Sequence, residues 1–216
     1  KATWDQHPDR DSNWAAQERN SIGEERFRRE HECEFVIYDE TLISALKLVE
    51  MKGIDPIRTM GQVRWYKHPH PTCTYVVSLD PATGTGGDAA GIQVLELPTM
   101  VQVAEWQHNL TPIEGQMKVM MEIMQYLQEL QVAQIYWSVE NNSIGEAALV
   151  VIRDTGEESF PGDFLHEPKK VAGRRARKGF HTSHRTKVEA CLSAKRLTEH
   201  DKITLHSKPL IPELHT

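Results

Sequence analysis

Residues Ser78–Gly91 read SLDPATGTGGDAAG, and the way this stretch is parsed decides the fold. The strand-forming residues Tyr75, Val76, Val77 and Leu79 deliver one aspartate, Asp80, into a loop with three glycines and a second aspartate, Asp88. A phosphate cradle, a nucleotide-kinase hairpin and a metal site are the three chemistries that use such a turn. A Walker loop requires Gly-Lys-Ser/Thr opening a helix, whereas Gly86 and Gly87 are followed by Asp88 and a further strand. A dinucleotide fingerprint also needs a helix after its glycines, and AAGIQVLEL alternates and is too β-branched for one. The kinase-like hairpin keeps the right topology and stays open beside the metal site.

Working outward, Tyr75–Asp80, Ala89–Leu97 and Val101–Asn109 read as three consecutive antiparallel strands with short connections. Thr111, Pro112 and Glu114 then look like a helix start with an N-cap, a first-turn proline and a capping box. Ile113, Met117, Met120, Met121, Met124 and Leu127 follow on one helical face, a spacing that makes the methionines core residues. Gln134–Glu140, QIYWSVE, is a buried strand that again ends on a carboxylate. Ser143 with Glu146 suggests a second capping box and a helix through Ala147, Ala148, Val150 and Val151. DFLHEP suggests a short strand, His184–His200 a helix carrying Val188, Cys191, Leu192, Ala194 and Leu197, and KITLH a last strand. The result is an α/β domain with a mixed sheet: three antiparallel strands, then parallel ones, flanked by helices.

Upstream, residues 1–35 are dense in charge and read as a polar helix anchored by Trp14, Ile22 and Phe27; Asp39–Met51 reads as another helix stopped by Gly53. RWYKHPHPTC reads as a connector, which puts a domain boundary near residue 70, with 1–70 a linking segment and 71–216 the main domain. His68, His70 and Cys73 belong to this connector, because one thiol with two intervening prolines is a poor zinc set. The first residues, KATWDQHPDR, lack a signal-type apolar block and look like the interior of a longer polypeptide.

The chain has 216 residues, 26% of them charged, and no apolar run near the roughly 20 residues of a membrane span. It reads as soluble. Cys33, Cys73 and Cys191 are odd in number and far apart, which fits a reducing setting and offers neither a disulfide framework nor a CxxC zinc pair. The net charge of −6 argues against coating nucleic acid over the whole surface. Between positions 169 and 187, however, Lys169, Lys170, Arg174, Arg175, Arg177, Lys178, Arg185 and Lys187 occur without one acid.

The metal-site reading accounts for a second observation. Asp80 and Glu140 both end strands, and if those strands are neighbours their carboxylates lie side by side at one sheet edge. Adjacent anions repel unless a cation lies between them. Mg²⁺ suits one or two carboxylates plus water and phosphate oxygens, and a pair of such ions activates water and stabilises the leaving oxygen in phosphodiester hydrolysis. Asp88, on the return strand, would add a carboxylate or hold a bound water. Each feature has a plainer reading: Asp80 as a turn former before proline, Glu140 as a solvated loop acid, Asp88 as Gly-Gly-Asp turn chemistry, the basic block as a solvated loop. Their coincidence in one small α/β domain favours the site.

YVVSLDPATGTGGDAAGIQVLEL, IYWSVENNSIGEA and HTSHRTKVEACLSAKRLTEHDKITLHSKPLIPELHT together resemble the large terminase subunit of tailed bacteriophages, in its C-terminal nuclease domain. WDQHPDRDSNWAAQERNSIGEERFRREHECEF is similar to the segment joining that family's ATPase to its nuclease. The resemblance implies a ribonuclease H-like fold and an Mg²⁺- or Mn²⁺-dependent endonuclease, using two ions, that cuts concatemeric viral DNA to start and finish packaging. Asp80 would match the first catalytic aspartate, Glu140 the catalytic glutamate and Asp88 the extra hairpin acid. The eight basic residues would neutralise the phosphates of double-stranded DNA. An upstream ATPase domain, the portal and the small terminase subunit are the implied partners, in the host cytoplasm with no membrane. The family's third catalytic acid lies in a downstream helix, and neither Asp201 nor Glu213 matches its motif. A non-catalytic DNA- or portal-docking module is the rival from another class.

Overall fold

In the computed structural model, residues 10–22, 27, 31, 42–142, 144–166 and 178–214 are described. Strands β1 (Arg58–Met60), β2 (Val63–Trp65), β3 (Thr74–Asp80), β4 (Ala90–Leu97), β5 (Val101–His108), β6 (Gln134–Val139) and β7 (Asp163–Phe164) form one sheet in the order β1-β2-β5-β4-β3-β6-β7. β3, β4 and β5 are antiparallel neighbours, with Thr74 opposite Leu97 and Asp80 opposite Gly91. β6 then lies parallel to β3, from Thr74 beside Gln134 to Leu79 beside Val139, and β7 parallel to β6. The crossover from β5 to β6 is helix α3 (Ile113–Glu129), which a parallel return requires. This is a mixed, ribonuclease H-like sheet flanked by helices.

Strand alternation places the core. Tyr75, Val77 and Leu79 of β3, Ala90, Ile92 and Val94 of β4, and Ile135, Trp137 and Val139 of β6 are buried. Against them pack Met117, Met120, Ile123, Met124 and Leu127 of α3, with Ala148 and Ile152 of helix α4 (Gly145–Thr155). Each valine, leucine, isoleucine or methionine among them contributes about 1.5–3 kcal/mol on burial. The methionines are therefore core residues, except Met121, which is only partly buried. Trp137 stacks flat on Phe164, ring centroids 4.1 Å apart, and fixes the short strand β7.

Helix α1 (Ser12–Ile22) holds to Phe27 through Trp14, ring centroids 6.1 Å apart, and Phe27 is fully buried. Helix α2 (Ala45–Glu50) is shorter than the segment read as helical: Ser44 caps it, and the chain turns extended at Met51, ahead of Gly53. Residues 39–41 of that reading lie outside the described residues. Among the described residues no helix is long and apolar enough to cross a membrane.

Several local expectations are corrected. Thr111 does not cap α3: the N-cap is Pro112, and the Thr111 hydroxyl meets His108 Nδ1 at 2.7 Å instead. Ser143 lies outside the described residues, and at the start of α4 Asn142 Oδ1 accepts from the Gly145 amide at 3.4 Å. The sheet begins upstream of residue 70, since Arg64 and Trp65, read as connector, pair with Glu105 and Ala104 of β5. KITLH forms no strand. Only Thr204 bridges Val101, because the amides of His206 and Ser207 go to the side-chain oxygen of Gln102 at 2.6 and 2.8 Å. A capping box does occur at helix α5 (His184–Glu199), between Ser183 and Thr186.

Candidate active site

The parallel register that sets Leu79 beside Val139 carries Asp80 and Glu140 to the same end of adjacent strands, and the Glu140 amide donates to Leu79 O at 2.9 Å. Both acids have the parity of Ser78 and Ser138, opposite to that of the buried Leu79 and Val139, so they share the sheet face turned away from α3. The two carboxyl groups lie close enough to shift each other's protonation. Burial first, then Glu140, pushes the Asp80 carboxyl up to about 7, against the lowering effect of Lys187. For Glu140 burial acts upward too, but hydrogen bonds from Asp80 and Thr182, with Lys187 and His181 close by, hold it below the ordinary carboxylate range. Asp80 is thus the proton holder and Glu140 the acceptor: at neutral pH two anions do not fit here without a cation.

Glycines make these positions accessible. Gly145, the first residue of α4, lies so close to Glu140 that a Cβ would fall 1.8 Å from its carbonyl oxygen. Gly84, at φ +70°, packs on Thr111, where a Cβ would fall 2.2 Å from the carbonyl oxygen. The glycine loop is held further by the Gly86 amide donating to Asn109 O at 2.8 Å, which occupies a donor that a phosphate cradle would need.

Two groups that did not stand out in the sequence complete the frame. Gln116, fully buried on α3, donates to Ala82 O at 2.6 Å and Thr111 O at 2.7 Å, and accepts from the Ala82 amide at 3.3 Å. It ties the chain just after Asp80 to the base of the glycine loop. Thr182 precedes the α5 cap and reaches Glu140; its only sequence signal was a place next to the Ser183/Thr186 cap. The turn carrying it is set by Phe180, whose amide donates to Val139 O at 2.9 Å, and by His181 Nδ1, 2.8 Å from Asn141 O.

Asp88 is exposed and lines the same cleft of about 980 Å³ as Asp80, Glu140, Thr182 and Lys187. Among the described residues no three His, Cys, Asp or Glu side chains converge closely enough to hold a metal ion, so Asp88 stands near the pair without joining it. His70 is occupied locally, its Nδ1 2.9 Å from Thr72 Oγ1. Of the basic block, Lys169, Lys170, Arg174, Arg175 and Arg177 lie outside the described residues. Lys178 pairs with Glu157 at 2.5 Å and Arg185 with Glu189 at 2.7 Å, whereas Lys187 acts on the acids themselves. Exposed pairs of the first kind contribute under about 1 kcal/mol and yield readily to a phosphate.

Comparison with known proteins agrees with this architecture. No protein-family model matches the chain. Among solved structures, the large terminase nuclease from thermophilic phage G20c with bound magnesium superposes with a TM-score of 0.58 at 15% identity, covering 81% of this chain and 79% of that one. The same nuclease with bound zinc gives 0.57 at 15%, covering 79% and 85%. The large terminase nuclease domain of Thermus phage P74-26 gives 0.54 at 16%, covering 78% and 75%. At such identity what is shared is the fold: this chain has the fold of the large terminase nucleases.

Proposed function

We propose that this chain is the metal-dependent DNA endonuclease domain of a phage terminase large subunit, cutting concatemeric viral DNA to start and finish genome packaging. The observation that carries the reading is the coupled acid pair Asp80–Glu140, side by side at the ends of adjacent parallel strands in a cleft that also holds a lysine. An all-oxygen donor set that cannot hold two negative charges by itself fits a hard divalent ion such as Mg²⁺ or Mn²⁺. Asp80 and Glu140 would hold it, with Asp88 as the nearby further carboxylate. When bound, such ions supply Lewis acidity at the phosphodiester and lower the pKa of a nucleophilic water.

The chain's own groups do the rest. Thr182 helps keep Glu140 ionised, Gln116 fixes the strand exit that aims Asp80, and Lys187 moderates the charge of the pair and faces an incoming phosphate. Arg185, Lys178 and the basic residues 169–177 extend that contact along the backbone. Phosphate contacts position without reading sequence, so cutting is nearly sequence-independent and falls steeply with salt. The neighbours with bound magnesium and zinc support a divalent ion. Double-stranded viral DNA is the substrate on this reading, and an ATPase domain, the portal and the small subunit are partners of the complete motor at the procapsid in the host cytoplasm.

Nicking of a supercoiled plasmid tests it. Wild type nicks in Mg²⁺ or Mn²⁺ and stops in EDTA, and Asp80→Asn stays folded but inert. A nicking-competent Asp80→Asn protein overturns the assignment. DNA binding without nicking in either ion favours a docking module.

A further inference from the structure

Across the sheet end the lateral order is Asp80, Glu140, Phe180. Glu140 follows Asp80 through the β3–β6 register, and Phe180 pairs with Glu140 in a parallel bridge on the far side of β6. Laterally paired residues project from one face, with strands about 4.8 Å apart. Phe180 therefore lies directly beside the acid pair and lines the same cleft. It is 44% exposed, and the neighbouring Leu165, also in the cleft, is 41% exposed. Leu165 is held against β6 by its amide, which donates to Trp137 O at 2.8 Å, so the apolar strip rests on backbone pairing.

Gripping the phosphates of a duplex from outside calls for cations, not for an exposed aromatic ring one strand from the acids. A ligand that carries an anion and a flat apolar face together satisfies both kinds of group in this cleft, because Lys187 and the acids line it together with Phe180, Leu165 and Ala190. A nucleotide is such a ligand. Building on the nuclease reading, we propose that Phe180 is a base-stacking platform: an unpaired base, next to the phosphodiester presented to Asp80 and Glu140, stacks on its ring with Leu165 beneath the sugar. The substrate strand is accordingly engaged as a locally opened strand. Base stacking on an aromatic ring is tolerant of sequence, in keeping with an otherwise non-specific cleft.

The test uses the whole chain and a single-stranded oligonucleotide containing 2-aminopurine, at low salt in EDTA so that no strand is cut. Wild type quenches the fluorophore on binding, and Phe180→Tyr retains the quench. Phe180→Ala and Phe180→Leu lose it and bind about 5- to 150-fold more weakly. Because the ring is half exposed, all three variants keep the wild-type circular dichroism melting curve. Equal affinity and equal quenching in wild type and Phe180→Ala, with plasmid nicking intact, overturn the platform and leave the nuclease reading standing. Absence of both DNA binding and nicking in wild type overturns the nuclease reading, and the platform falls with it.

Discussion

Carboxylates gather at two places in this sheet, enclosed within it at one and open to the cleft at the strand ends at the other, and they are treated in opposite ways. Glu96 and Glu105, on β4 and β5, are 3% and 2% exposed, and each has its own cation: Lys67 Nζ lies 2.7 Å from Glu96, and Arg64 Nε 2.9 Å from Glu105. Tyr75 and Thr99 add donors to Glu96, Tyr66 and Ser207 to Glu105. For Glu96 burial acts upward, but Lys67 and Thr99 outweigh it and hold the carboxyl below its ordinary range. Asp80 and Glu140 have chiefly each other, with one lysine at a distance, and the Asp80 proton is retained to about 7. Structural acids in this fold are neutralised from within, whereas the pair at the strand ends is left short of positive charge. That deficit is the ground for proposing a cation there.

The largest contrast is expected in catalysis. Asp80→Asn or Glu140→Gln should lower plasmid cleavage by about a thousandfold or more, since an ion at this position supplies several kcal/mol to the barrier. Glu96→Gln should leave cleavage within a few-fold; equal losses in both regions would erase the distinction. Stability should behave in reverse. Glu105→Ala leaves the buried hydroxyls of Tyr66 and Ser207 without their acceptor and the half-buried Arg64 without its partner, and should cost about 2–4 kcal/mol, a Tm drop of several degrees by scanning calorimetry.

Gln116→Leu lies between the two regions. It frees the Ala82 and Thr111 carbonyls and should cost about 1–3 kcal/mol, while also weakening Mn²⁺ affinity measured by calorimetry. A stability loss without change in affinity would make Gln116 purely structural.

The smallest effect is a pH dependence. In the unfolded chain Asp80 loses its proton near 3.8, and in the fold it keeps it to about 7, so folding takes up a proton between those values. Metal-free stability should therefore fall as pH rises from about 4 to 7. Glu140, held low, has the opposite dependence, lost only as pH falls through its depressed range. Asp80→Asn removes the unfavourable second charge beside Glu140 and should raise the metal-free Tm at neutral pH by about 2–4 °C after allowance for solvent screening. Melting curves in EDTA across this range decide it.

What was legible in the sequence follows from the same physics. Period-two burial and a strand run halted by an acid are local signals, which is why β3, β4, β5 and β6 and the acids at the ends of β3 and β6 could be read directly. Gln116, Thr182 and Phe180 act through partners 34, 42 and 40 positions away, at Ala82, Glu140 and Glu140, and no local pattern marks such contacts. Thr111 carried a good capping signature, but His108 claims its hydroxyl. KITLH alternates like a strand, yet the Gln102 side chain takes the amide of its last residue, His206, along with that of Ser207 beyond it. β1 and β2, at three residues each, are too short for periodicity to register.

The claim beneath all of this is that Asp80 and Glu140 hold one cation between them. Thermal melting at pH 7 with increasing Mn²⁺ addresses it without any need for cleavage. Wild type should gain several degrees in a saturable manner, while Asp80→Asn, already more stable in EDTA, should gain almost nothing. An equal Mn²⁺-dependent rise in both proteins would place the ion elsewhere and contradict the account.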